Sequence, residues 1–63
     1  MKIRDVVNKD HFLDPTDVIN VVRHANATDD YVFDFEGIIL TNQMAIDMLK
    51  KAFQDKEIEI VNL

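Results

Sequence analysis

Asp34 and Glu36 stand two residues apart in Tyr31-Val32-Phe33-Asp34-Phe35-Glu36. That spacing sends both carboxylates to one face of a strand. Paired carboxylates near the C-terminal end of a strand could serve as general acid and base, provided a pocket separates their pKa values. The competing reading is a solvated pair balanced by Lys2 or Arg4 across the sheet. His11 lies among Asp10 and Asp14, and His24 is the other histidine; neither has the H-x-x-x-H or H-E-x-x-H spacing of a metal site, so no metal is expected. Gly37 is the only glycine, whereas a phosphate cradle needs several and usually a lysine. It reads as a bend after the strand. Thr41, ahead of a helix, could be a plain cap or a phosphorylation point, where phosphate would gain from the helix dipole. No catalytic residue or cofactor follows from these types and spacings.

Five elements would have to position these groups. Lys2 to Val7 reads as a short strand, with Ile3 and Asp5 facing one way and Arg4 and Val6 the other. Asn8 to His11 is turn-like. Asp14-Pro15 opens a helix, Asp14 as cap and Pro15 at the first helical position, with Asp17 complementing the dipole. Val18, Val21, Val22 and Ala25 recur along it at helical spacing, and Asn26 to Asp30 ends it. The second strand spans Tyr31 to Glu36, with Tyr31, Phe33 and Phe35 on one face. Thr41 or Asn42 caps a second helix that presents Ala45, Met48, Leu49, Ala52 and Phe53 on one side. A last strand, Glu57 to Leu63, alternates Ile58 and Ile60 against Glu59 and Val61.

The order βαβαβ predicts an α/β fold: a three-stranded, mainly parallel sheet with two helices on one face. The other face would carry Lys2, Arg4, Asp34, Glu36 and Glu59 around Val32 and Val61, open to solvent. A parallel sheet covered on both sides would be almost continuously apolar, which this one is not.

Composition narrows the function. The chain has 63 residues and makes one domain. Twelve acidic against seven basic side chains give a net charge of −5. This argues against direct binding to nucleic acid, which calls for a basic stripe. There is no cysteine, and no run approaches the ~20 apolar residues of a membrane span. The beginning of the chain lacks an apolar signal core. The expectation is a cytoplasmic protein.

The run Asp30-Tyr31-Val32-Phe33-Asp34-Phe35-Glu36-Gly37-Ile38 resembles the signature of the STAS-like domains, relatives of the anti-sigma-factor antagonists. The helix from Leu13 to Ala25, Gln43-Met44-Ala45 and Ile58 to Asn62 fit the same pattern. STAS domains are non-enzymatic switches that dock partner proteins, and some bind nucleotides. In the antagonists a phosphorylatable Ser or Thr stands at the helix start after the central strand; Thr41 occupies that position, in Thr41-Asn42-Gln43 rather than an Asp-Ser-Gly-like start. The resemblance implies a minimal unit, since fuller domains continue into another helix.

The resulting expectation is a non-catalytic module that docks a partner protein, or a second copy of itself, through the open sheet face, an edge, or the rim from Thr41 to Met48. Asp34, Glu36, Glu59, Thr41, Met44 and Met48 are its candidate contact residues. A second reading is an acidic inhibitor, of the kind phages and other mobile elements make, that blocks a basic nucleic-acid channel with Asp29, Asp30, Asp34, Glu36, Glu57 and Glu59.

Overall fold

The computed structural model describes residues 1–63. It is an α/β arrangement of three helices and four short strands, in the order α1 (Ile3–Val7), β1 (His11–Phe12), α2 (Pro15–Thr28), β2 (Val32–Asp34), β3 (Leu40–Thr41), α3 (Gln43–Ala52) and β4 (Glu59–Val61). The strands form two separate parallel pairs, β1 with β3 and β2 with β4. Parallel pairing matches the sequence expectation; the single three-stranded sheet does not.

The difference begins at Lys2–Val7. This segment is helical from Ile3, and only an isolated bridge between Lys2 and Asp34 remains of the expected strand. The apolar residues Ile3, Val6 and Val7 stand at i, i+3 and i+4, which suits a helix better than alternation, but five residues are too few for periodicity alone to decide. Tertiary packing decides instead: Ile3 is fully buried, and α1 lies against α2. Asn8 closes α1 in the left-handed region at φ 58°, its N–H bonded to the Arg4 carbonyl at 2.9 Å. Asparagine tolerates this conformation better than most residues.

The span expected to be a turn, Asn8 to His11, instead leads into β1. His11 pairs with Leu40 and Phe12 with Thr41. Strands of two residues carry no readable alternation, which is why both β1 and β3 escape a pattern search.

The helix starting at Asp14-Pro15 is present and longer than expected, reaching Thr28 before Asp29 caps it at φ 56°. Asp17 carries the local structure. Its Oδ2 accepts the N–H groups of Leu13 and Asp14, both at 3.2 Å, and its Oδ1 meets Lys9 Nζ at 2.9 Å. One carboxylate thus joins the loop before α2 to the first turn of α2. It is the only buried charged side chain, 3% exposed.

Phe33 and Phe35 point inward from the second strand and are buried, while Val32 and Glu36 reach solvent. They meet Val18, Val21 and Ala25 of α2, and Ala45, Ile46 and Leu49 of α3, in one core with Ile3, Phe12 and Phe53. Phe12 and Phe35 meet edge to face at 5.4 Å, and Phe33 stacks on Phe53 at 5.6 Å. On α3 the buried stripe is Ala45, Ile46, Leu49 and, just past its end, Phe53. Met48 and Ala52 were expected on that stripe and lie outside it, because the helix is rotated to admit Ile46. In β2–β4 the register sets Phe33 beside Ile60, Val32 beside Glu59 and Asp34 beside Val61. In-register neighbours share a face, so Val32, Glu59, Asp34 and Val61 form the outer side.

Gly37 follows β2 at φ 83°, and a Cβ there would lie 3.1 Å from Arg4 Cδ. Arg4 is flexible, so the backbone conformation sets the cost. Gly37→Ala is expected to lower stability by about 1–2 kcal/mol, read as a reduced urea midpoint at unchanged slope.

Candidate functional site

Asp34 ends β2, and its carboxylate is committed to structure. Oδ1 accepts the N–H of Glu36 at 2.9 Å and the Nδ2 group of Asn62 at 2.9 Å. The amide of Asn62, then the Glu36 N–H, with Lys2 nearby, holds the Asp34 carboxyl below its usual range. A general acid needs the opposite shift. Glu36 lies beyond the strand in the turn and is exposed. The expected carboxylate pair on one strand face is therefore an Asp-capped turn, and no ion pair joins either residue to Lys2 or Arg4. Arg4, expected on the sheet's outer face, sits in α1 with its side chain against Gly37.

Asp30 is also engaged. It accepts the Met1 ammonium at 2.8 Å and the Val32 N–H at 3.2 Å. The ammonium first, and the Val32 N–H after it, lower the Asp30 carboxyl. Of the six acids expected to meet a basic target, Asp30 and Asp34 thus spend their charge internally; Asp29, Glu36, Glu57 and Glu59 are exposed.

The histidines stand apart. His11 Nδ1 is 3.6 Å from Asp10, and His24 is exposed on α2, where its carbonyl accepts the Thr28 hydroxyl at 2.8 Å. No group of three or more potential ligands converges anywhere in the chain.

Thr41 pairs with Phe12 in β3 and is half-buried. The cap of α3 is Asn42, whose Oδ1 accepts the Met44 N–H at 2.9 Å. The cap therefore stands one residue after Thr41, and the helix starts at Gln43. Asn42→Ala is expected to lower stability by about 1 kcal/mol and to fray the first turn of α3, read by amide hydrogen exchange at Met44 and Ala45.

The surface around this helix start has a chemistry of its own. Gly37 to Ile46 is a run of ten residues without a charged side chain, in a chain that is 30% charged. Ile39, Leu40 and Met44 on it are 81%, 57% and 68% exposed. Met48, one turn on from Met44, also reaches solvent. Met44 and Met48 were singled out from the sequence. Ile39 and Leu40 were missed because they fall between the strand ending at Glu36 and the helix start at Thr41-Asn42 and belong to neither expected element, although the absence of charge from Gly37 to Ile46 was visible.

No family model, curated protein or solved structure matches the chain. Its surface holds no enclosed cavity, only open grooves, and no helix is long and apolar enough to cross a membrane.

Proposed function

We propose that this chain is a small, non-catalytic, STAS-like interaction module that works in the cytoplasm by docking protein. Nucleic acid and membranes are not its partners. The observation that carries this reading is the apolar exposure of Ile39, just before β3, of Leu40 on β3 and of Met44 and Met48 on α3, the first three within the uncharged run from Gly37 to Ile46. Loss of charge with enrichment in methionine marks the centre of protein interfaces. Asp34, Glu36 and Glu59 lie outside this centre, and the exposed Glu36 and Glu59 would serve as polar rim.

Thr41 lies inside the uncharged stretch, in β3 one residue before the Asn42 cap, next to the helix start that the STAS resemblance associates with phosphorylation. A phosphate there would bring roughly −1.5 to −2 charges into an apolar contact. It would act as an off switch for docking.

The test is photo-crosslinking in the cells that make the chain, with a benzophenone amino acid at position 40, 44 or 19. The first two sites should each give one discrete adduct, and position 19, on the exposed side of α2, none. Thr41→Glu should abolish the adduct at position 44. Equal labelling at all three positions would sink the docking surface. Adducts appearing only from probes at positions 57 and 59 would favour the acidic-inhibitor reading.

A further inference from the structure

We infer that the exposed face of α3 is built to pair with the same face of a second copy, antiparallel, about a two-fold axis close to Met48. This rests on the docking reading above and names its occupant. Met44, Asp47, Met48 and Lys51 recur at i, i+3, i+4 and i+7, so they share one side of the helix, and all four are exposed. The opposite side is buried in the core through Ala45, Ile46 and Leu49.

The charges on this face are self-complementary. Asp47 and Lys51 are four residues apart, the spacing at which an acid and a base on one helix commonly pair. They form no ion pair with each other or with any other group. Asp47 holds only the amide of Gln43, at 2.9 Å.

In a two-fold interface, residue i meets residue j and j meets i. An antiparallel arrangement that sets Asp47 against the second copy's Lys51 therefore sets Lys51 against the second copy's Asp47. Met48 then lies beside the axis and meets its own copy, while Met44 lies over the far end of the partner helix. The uncharged segment from Gly37 to Ile46 flanks this contact, so two chains of charge −5 can approach there without burying unpaired carboxylates.

The interface is small. A standard one takes about 800 Å² from each partner, a large share of a surface of 4111 Å². A dissociation constant on the order of 10 μM is expected.

Sedimentation equilibrium on the whole chain, from low micromolar to about 1 mM, tests the pairing with two variants. Asp47→Lys places Lys opposite Lys at both ends of the interface, and Lys51→Asp places Asp opposite Asp. Each alone should weaken self-association about tenfold. Mixed in equal amounts, they should form a heterodimer close to wild-type strength, because both cross-pairs become Lys with Asp. A wild-type chain that stays monomeric overturns the inference, as does a mixture that associates no better than its components. Adduct mass separates this failure from failure of the docking reading. A position-44 adduct of twice the chain mass supports the second copy; one of any other mass removes the second copy and leaves docking in place; no adduct removes both.

Discussion

Phe33→Ala is expected to leave the chain largely unfolded at room temperature. Phe33 has no exposed surface and stacks on Phe53, with ring centres 5.6 Å apart. Truncating a buried phenylalanine costs about 3–5 kcal/mol. A chain of 63 residues has roughly 3–9 kcal/mol of stability in all, at ~0.05–0.15 kcal/mol per residue. The loss is thus comparable to the whole. Phe33→Leu keeps most of the volume and should remain folded with a lower melting temperature. Far-UV circular dichroism through a thermal ramp separates the two; a cooperative transition in Phe33→Ala near the wild-type temperature would mean that the core is centred elsewhere.

Asp17→Ala should have the next largest effect, about 2 kcal/mol, from stranding the Leu13 and Asp14 N–H groups and losing the Lys9 ion pair. It should also change the response to pH. Burial pushes the Asp17 carboxyl up, but the Lys9 ammonium and the N–H groups of Asp14 and Leu13 outweigh it, and the net shift is downward. The folded state then binds fewer protons at Asp17 than the unfolded state does. The stabilisation is complete above the unfolded pKa, near 4, and disappears as pH falls through the lower folded value. Lys9 has the opposite sign. The hydrogen bond to Asp17 raises its pKa, so its contribution is full below the unfolded value and fades as pH climbs through the folded one. Wild-type stability should therefore be flat around neutrality and fall at both extremes. In Asp17→Ala both slopes should be shallower, with a residual acid slope from Asp30 and Asp34, whose carboxyls are also lowered. Urea midpoints measured from pH 3 to pH 11 give the comparison; parallel curves for the two proteins would contradict this account of Asp17.

The parts of the fold legible in the sequence are those with local chemical markers. Asp14-Pro15 with Asp17 announced α2, and Val18, Val21 and Ala25 gave its buried face. Tyr31 to Glu36 alternated clearly, and its inward Phe33 and Phe35 are buried as expected. What escaped was decided by distant contacts. Ile3 to Val7 became helical through packing on α2, and β1 and β3 exist only because each has the other. The burial of Asp17 depended on Lys9, eight positions upstream, at a separation with no periodic signature. At the candidate site, Met44 and Met48 were visible as types, but their outward direction follows from which side Ile46 and Leu49 bury. Asp34 and Glu36 were visible as acids, and the turn that uses one to hold the other's backbone was not.

Both strand pairs join residues far apart in the chain: His11 with Leu40, and Val32 with Glu59. Each closes a loop of roughly thirty residues, at an entropic cost of about 3 kcal/mol before the constant term. Neither pair is a hairpin that could form early and wait for the rest. The two loops interlock, since β2 lies inside the span closed by β1 and β3, while β3 lies inside the span closed by β2 and β4. The β1–β3 ladder cannot close before residue 41 is available, nor β2–β4 before residue 61, and because the two share one core, folding should be a single cooperative step and not a stepwise growth of ladders. For the same reason a cut between Gly37 and Ile38 should yield two fragments that are structureless separately and regain order only when mixed.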